Sequence, residues 1–163
     1  MIIHLKKKDM LIAGDFIFKC CIGKNGLKKD KIEGDGCTPK GTFKIDKLYY
    51  RNDREVKPIT NIKIKKIKKN SGWCNDPKHK FYNKEIKVKK NIKHEKLYRR
   101  DYKYNYLITI KYNTKKIIPY KGSAIFLHLT ENFKPTAGCI AIKKNDFLVL
   151  AKLITKNSKI IIY

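Results

Sequence analysis

Ser123-Ala-Ile-Phe-Leu-His-Leu129 is followed after a short interval by Pro135-Thr-Ala-Gly-Cys-Ile140, and these two segments give the clearest structural signal in the sequence. Each piece contains an apolar run with β-branched or aromatic residues and adjoins turn-forming residues, a pattern typical of a buried strand. His128 stands near the end of the first run, and Cys139 opens the second. If the two strands are neighbours, the two side chains can be brought together.

A cysteine beside a histidine is a recognisable chemical pair. A thiol needs a base or a lowered pKa to be a strong nucleophile near neutral pH, and a histidine can supply either. Gly138 allows a close backbone approach, so the amides of Gly138 and Cys139 could face the oxygen of an attacked carbonyl. On the residues alone, a second interpretation stays open, in which Cys139 is a small core residue and His128 a hydrogen-bonded histidine at a strand end.

Short strands also dominate the rest of the chain. Further strands are predicted over residues 2–6, 15–22, 41–49, 105–112 and 159–163, where β-branched and aromatic residues lie between turn signals. A single helix is predicted after Lys144, capped by Asn145, because apolar residues recur there at helical spacing. Residues 57–103 have weak periodicity and are predicted to be long connections with one lysine-rich strand. No linker divides the sequence, so one domain over residues 1–163 is expected.

The composition is strongly basic, with 40 Lys and Arg against 14 Asp and Glu and a net charge of +26. Nearly all of this charge is lysine, whereas specific readers of nucleic acid rely heavily on arginine. Two interpretations stay open: the codon bias of an AT-rich genome, or a positive field that concentrates a polyanionic partner. The five cysteines show no Cys-x-x-Cys spacing, so neither a complete disulfide framework nor a structural zinc site is indicated.

The N-terminal residues Met1-Ile-Ile-His-Leu-Lys6 offer only a very short apolar piece before the first charges. We therefore expect no secretory leader of the usual kind, and no apolar run is long enough for a transmembrane segment. The sequence is expected to be soluble.

Four segments in a fixed order resemble the L,D-transpeptidase catalytic domain, also called the YkuD-type domain. They are Gly-Asp-Gly-x-Thr-Pro-x-Gly-x-Phe at 34–43, Gly-Trp-Cys at 72–74, Gly-Ser-Ala-Ile-Phe-Leu-His at 122–128 and Pro-Thr-x-Gly-Cys-Ile at 135–140. The resemblance spans roughly residues 31–146. It implies a mainly β fold, a sandwich or barrel of short mixed strands with one packed helix near the C-terminus. The 34–43 segment is a turn in either interpretation, because its glycines permit positive φ and Pro39 restricts the chain before a strand.

The resemblance also implies roles for individual residues. Cys139 would be the nucleophile that forms a thioester, His128 the base, and Thr136 and Gly138 would take the places of the family's Ser/Thr and Gly-Cys backbone elements. The sequence departs from the commonest pattern, Ser/Thr-His-Gly-Cys, because Ala137 replaces the second histidine. This change indicates a divergent branch with its own substrate preference.

Substrate contacts are predicted at seven positions, namely Thr136, Trp73, Tyr82, Asn83, His94, Arg99 and Ser123. Trp73 is equally consistent with an anchor in a small core or with a wall of a substrate groove. The segment from His94 to Asp101 fits either a solvated charged face or a site where Arg99 or His94 meets the carboxylates of a diaminopimelate-containing peptide.

The expected function is a cysteine acyltransferase that cross-links peptidoglycan stem peptides. The alternatives are an L,D-carboxypeptidase or endopeptidase that uses water as the acceptor, and a non-catalytic polyanion-binding module. No cofactor, metal or nucleic-acid partner is expected, and the chain is expected to be a monomer. The implied substrate places it in the cell envelope or periplasm, with the cytoplasm as the alternative.

Overall fold

The computed structural model describes residues 1–163 and consists mainly of β-strands. Its elements, in chain order, are β1 (Ile2–Lys6), β2 (Met10–Ala13), β3 (Phe16–Cys21), β4 (Leu27–Lys28), β5 (Thr38–Pro39), β6 (Gly41–Tyr50), β7 (Lys63–Lys66), β8 (Ser71–Cys74), β9 (Glu85–Lys87), β10 (His94–Lys96), β11 (Tyr106–Ile110), β12 (Phe126–Leu129), β13 (Ile140–Ile142), α1 (Lys144–Leu153) and β14 (Lys159–Ile162).

Nine strands form one mixed sheet in the order β11-β12-β13-β3-β2-β1-β14-β6-β7. The sheet closes on itself because β6 also pairs with β11, so that β7 is left as an appended strand. Closure is possible because β6 is ten residues long: its first half pairs with β14 and its second half with β11. The predicted mainly β fold of short mixed strands with one helix near the C-terminus is confirmed.

Two apolar cores lie on opposite faces of this sheet. The inner core is a cluster of 26 buried residues that fills the space enclosed by the strands and includes Leu127, Leu129, Ile140 and Ile142, together with Phe147 of α1. The smaller outer core is a separate cluster of eight buried residues: Tyr49, Ile67, Trp73, Leu97, Tyr104, Leu107, Phe126 and Cys139. A three-stranded sheet of order β10-β8-β9 supplies Trp73 to the outer core.

Strand alternation explains why β12 serves both cores. Leu127 and Leu129 belong to the inner core, whereas Phe126 and His128, one residue out of phase, point to the outer face. β13 runs parallel to β12 with Leu127 opposite Ile140. Cys139 is one residue before Ile140, so the same alternation places it on the outer face, in the cluster that contains Phe126.

Several boundaries differ from the sequence-based prediction. The helix begins at Lys144 after an extended Lys143 with no side-chain cap, so the predicted cap at Asn145 is wrong. Four strands, not one, occupy residues 57–103, because that segment pairs within its own small sheet as well as with β6. β12 starts three residues late, since Ala124 takes a left-handed conformation with φ of 54° that breaks the extended run.

The helix is too short and too polar to span a membrane.

Candidate active site

Cys139 lies immediately before β13, buried at the base of a cavity. Its Sγ accepts a hydrogen bond from the Phe126 amide (3.3 Å) and donates one to the Ala124 carbonyl (3.3 Å). Burial raises the pKa of the Cys139 thiol to about 12, which the Phe126 amide only partly offsets. At rest, Cys139 therefore carries a neutral thiol.

His128 lies on the neighbouring strand and lines the same cavity. Its Nδ1 is 3.0 Å from the Leu129 carbonyl, and since a carbonyl can only accept, Nδ1 carries the proton. Nε2 has no hydrogen-bond partner in the protein and is left as the basic nitrogen. Burial lowers the pKa of His128 to about 4, against a smaller opposing effect of the Leu129 carbonyl. The resting pair is thus thiol and neutral imidazole, the form in which His128 can accept a proton.

Two threonine hydroxyls hold the turn that carries the nucleophile. Thr136 Oγ1 donates to the Cys139 carbonyl (2.6 Å) and accepts from the Gly138 amide (3.1 Å). On the other side, Thr38 Oγ1 donates to the Gly138 carbonyl (2.8 Å) and accepts from the Gly23 amide (2.9 Å). The Gly138 amide is therefore engaged, whereas the Cys139 amide makes no hydrogen bond within the turn.

Gly138 is required by space and by conformation. Its φ is +144°, and a Cβ at this position would lie 2.8 Å from the Cys37 carbonyl oxygen. A side chain would thus strain the backbone and push the turn away from the 34–43 loop. The loop that looked like a simple turn in the sequence is the support on which the nucleophile turn rests.

Trp73, Tyr82 and Asn83 lie behind the cavity wall and do not line the cavity. Asn83 Oδ1 accepts from Trp73 Nε1 (2.9 Å) and from the Ala124 amide (3.1 Å). Ala124 is the residue whose carbonyl holds the Cys139 thiol. These residues therefore position Ala124 and, through it, the Cys139 thiol, and the anchor interpretation of Trp73 fits the structure better than the groove-wall interpretation.

The cavity in front of the thiol has a volume of about 710 Å³. Of the predicted substrate contacts it contains Thr136, Arg99 and Ser123. It does not contain His94, whose Nδ1 lies 2.5 Å from the Ile92 carbonyl and whose Nε2 is buried without a partner. Basic side chains dominate the charged lining, namely Lys31, Lys93, Arg99, Lys103 and Lys134, and they suit a ligand that carries carboxylates.

Arg99 is fixed by two acidic side chains. It forms a bidentate pair with Asp101 (2.9 and 2.6 Å), and a longer contact of 3.4 Å to Glu95. Its guanidinium also lies 5.0 Å from the centre of the Tyr104 ring, which meets His128 edge-on at 5.3 Å. The Asp101 hydrogen bonds raise the pKa of Arg99, so the charge at this wall is permanent.

Sequence reasoning missed three residues that shape the site, namely Thr38, Glu33 and Tyr104. Thr38 was part of a quoted motif, and its polar side chain between a cysteine and a strand-starting proline was the available signal. Glu33 and Tyr104 stood in no motif. They reach the cavity only because residues 31–34 and the end of the 93–104 segment fold onto it.

Comparisons with known proteins concern the family and the fold of this chain. A sequence model of the YkuD family, described as the L,D-transpeptidase catalytic domain, matches residues 2–162. No curated protein matches the chain in sequence. Among solved structures, the helical cell shape determining protein Pgp2 from Campylobacter jejuni aligns with 99% of this chain at 17% identity and a TM-score of 0.55. Bd1075 from Bdellovibrio bacteriovorus aligns over 99% at 15% identity and a TM-score of 0.50.

The chain spans about half the length of these two structures, 46% of Pgp2 and 47% of Bd1075. At such low identities they establish the fold alone, while the family match extends over almost every residue described above. The resemblance found in the four sequence segments is confirmed, and the chain belongs to the L,D-transpeptidase catalytic domain family.

Proposed function

We propose that this chain is a cysteine acyltransferase that acts on peptidoglycan stem peptides, with Cys139 as nucleophile and His128 as general base. The observation that carries the proposal is that the thiol and an imidazole with a free Nε2 line one cavity from adjacent strands. In this proposal the Leu129 carbonyl orients the base, because its hydrogen bond to Nδ1 holds the tautomer of His128.

The first half-reaction forms the thioester. The thiol turns from the Ala124 carbonyl towards His128, whose Nε2 takes the proton as sulfur bonds to the substrate carbonyl carbon. The electrons of the C=O bond move to oxygen. When this tetrahedral intermediate collapses, the C–N bond breaks and His128 returns the proton to the departing amine. Because both groups are neutral at rest, proton transfer accompanies attack instead of preceding it.

The Cys139 amide is the donor best placed to stabilise the oxyanion. It belongs to the attacking residue itself and is not used within the turn. The Gly138 amide joins it only when the Thr136 hydroxyl releases it. A donor of this kind contributes about 3 to 4 kcal/mol to the transition state in other acyl-transfer enzymes.

The second half-reaction regenerates the thiol. An amine of a second stem attacks the thioester carbonyl, His128 takes a proton from that amine, and the C–S bond breaks as sulfur regains a proton. Transfer to an amine yields a cross-link, whereas transfer to water trims the stem. Both outcomes use the same thioester and differ only in the acceptor that reaches it.

The choice of substrate rests on the family and on the charge of the cavity. Its basic lining suits the carboxylates of stem peptides. Pgp2, which shares the fold, is named a helical cell shape determining protein. We accordingly assign this chain to the cell envelope.

Covalent labelling tests the proposal directly. After incubation with a carbapenem, the intact mass should increase by one acyl group, and peptide mapping should place the addition on Cys139. The Cys139→Ala variant should gain no mass. Cys74→Ala, which removes a buried thiol outside the cavity, is the matched control and should react like the parent. Absence of an adduct on Cys139 would refute the assignment.

Incubation with purified muropeptides then identifies the acceptor. Cross-linked dimers would show amine transfer, and shortened stems would show hydrolysis. Neither product, combined with retention on heparin at about 0.5 M salt, would instead support the polyanion-binding alternative, because non-specific phosphate-type contacts weaken steeply with salt.

A further inference from the structure

One carboxylate in the cavity has no cationic partner. Glu33 Oε2 accepts hydrogen bonds from the Tyr82 hydroxyl and from Ser123 Oγ, the latter at 2.8 Å. Oε1 makes no hydrogen bond, and no lysine or arginine forms an ion pair with Glu33. In a chain with a net charge of +26, an acidic side chain that faces a cavity without a cation is unusual.

The nearest basic residue in sequence does not neutralise Glu33. Lys31 also lines the cavity, but its ammonium is 2.6 Å from Asp35 Oδ1 and 3.2 Å from the Ile32 carbonyl. The only other carboxylate of the cavity, Glu95, is contacted by Arg99. Glu33 is thus the one acidic group of the cavity whose charge is uncompensated.

A short series of contacts connects Glu33 to the Cys139 thiol. Its partner Ser123 directly precedes Ala124, whose carbonyl accepts the hydrogen bond from the Cys139 thiol. The permanent positive charge of the cavity comes from a different segment, at Arg99. A ligand in front of the thiol therefore meets a fixed negative group on one part of the wall and a fixed positive group on another.

We propose that Glu33 binds the ammonium group of an amine-bearing stem peptide and thereby determines which peptides the site accepts. This inference rests on the proposed function. The two hydroxyls hold one carboxylate oxygen, so the free oxygen faces its ligand without a large loss of side-chain freedom. A charge-assisted hydrogen bond to an ammonium satisfies that oxygen, whereas a neutral amide in its place leaves the carboxylate without a counter-ion.

Glu33→Gln is the informative variant. A glutamine can still accept both hydroxyl hydrogen bonds through its carbonyl oxygen, so the wall keeps its shape and only the charge is removed. Binding is measured by calorimetry in a Cys139→Ala background, which separates recognition from chemistry. The probes are disaccharide-tetrapeptide muropeptides with a free side-chain amine, and the same muropeptides after acetylation of that amine.

With Glu33 present, the free-amine peptide should bind about 10- to 100-fold more tightly than its acetylated form. In Glu33→Gln the two peptides should bind within about threefold of each other, because only the free-amine peptide loses affinity. Glu131→Gln, which changes the net charge equally but lies outside this cavity, should keep the full discrimination.

Equal binding of the two peptides to the parent would overturn the inference while leaving the proposed function intact. So would an equal loss for both peptides in Glu33→Gln, which would indicate a purely structural role. Binding of neither peptide to any variant would count against the proposed substrate class itself, and the carbapenem adduct would then show whether the cysteine chemistry survives.

Discussion

The inner and outer cores differ in composition as well as in size. The inner core is made largely of aliphatic residues enclosed by the sheet. Half of the outer core is aromatic, with Trp73 and Tyr104 packed edge-on against Phe126 at 5.3 and 5.9 Å, and it contains Cys139. Hydroxyl groups at its rim reach carboxylates, as Tyr104 does to Glu95 (3.0 Å). One face of β12 and β13 therefore stabilises the fold, and the other builds a desolvated site.

Desolvation is what the outer core contributes to chemistry. It keeps Cys139 protonated and His128 neutral at rest, so that in the proposed mechanism the thiol is protected from adventitious reaction and the imidazole is free to accept a proton. The inner core could not host this pair, because a thiolate or imidazolium formed there during catalysis would have no access to substrate or solvent.

The largest effects are expected from substitutions of Cys139 and of its neighbour Ile140. The two side chains face different cores, so one substitution should affect acylation and the other stability. Cys139→Ala should abolish acylation, a loss of at least ~10³-fold in rate. The free energy of unfolding of this variant should differ from that of the parent by less than about 2 kcal/mol. Ile140→Ala should lower the free energy of unfolding by about 2 to 5 kcal/mol. Urea titration and adduct formation measure the two effects, and an unfolded Cys139→Ala would contradict the division of roles.

The neighbouring residues Leu127 and Phe126 of β12 allow the same comparison of the two cores, with smaller expected changes in stability and in acylation rate. Leu127→Ala removes a fully buried inner side chain and should cost about 2 to 5 kcal/mol of stability. Phe126→Leu keeps an apolar group in the outer core and should cost less than about 1.5 kcal/mol. Because Phe126 packs beside the thiol, its variant should nonetheless acylate more slowly. Equal acylation rates for Phe126→Leu and the parent would show that aromatic packing does not orient Cys139.

Thr38 allows the support of the nucleophile turn to be tested. Thr38→Val keeps the shape but removes the hydroxyl that joins Gly23 to Gly138, leaving two buried backbone groups unpaired at about 1 to 3 kcal/mol each. We expect lower stability and an acylation rate reduced by about tenfold, because the turn loses its position. Thr38→Ser retains the hydroxyl and should restore the rate, which a loss of packing alone would not allow.

The smallest expected effect is on pH dependence. His128 acts as a base only when neutral, and its pKa is lowered to about 4, so the protonated form appears only as the pH falls through that value. The acylation rate should therefore change by less than about twofold between pH ~5 and pH ~8. Stopped-flow or timed mass spectrometry across this range measures it, with the carbapenem in buffer alone as the blank.

Two other profiles would contradict this picture of a buried neutral pair. A decline near pH 6.5 would indicate a solvated histidine of ordinary pKa. A rate that rises about tenfold per pH unit would indicate that the reaction uses only the small fraction of pre-formed thiolate.

Local pattern predicted most of the strands and the reacting pair. Alternation within 41–49 and the apolar runs at 123–129 and 138–142 identified β6, β12 and β13, because burial of one strand face imposes a period of two. The prediction that Cys139 and His128 form the candidate reacting pair depended on four short segments and on their order. Each segment can be recognised from its own residues. The predicted helix start was wrong by a residue or two. The helix begins at Lys144, and the extended residue before it, Lys143, provides no side-chain cap.

The roles of Trp73, Tyr82, Asn83 and His94 were not readable from local pattern. Aromatic and amide side chains in a polar loop suit both a groove and its supporting wall, and the difference depends on what packs against them. Asn83 reaches Ala124, 41 residues away, and this contact decides that it orients the thiol support rather than lining the cavity.

Short segments of the sequence were enough to predict the strand-rich fold and to single out Cys139 and His128 as the candidate nucleophile and base, because both signals lie within a few neighbouring residues. Three features became visible only in the folded chain. Thr38 supports Gly138 across 100 residues, the thiol and the imidazole are neutral at rest, and Glu33 lines the cavity without a counter-ion. The physical reason is that hydrogen bonds between distant segments, desolvation and charge compensation depend on which segments the fold brings together.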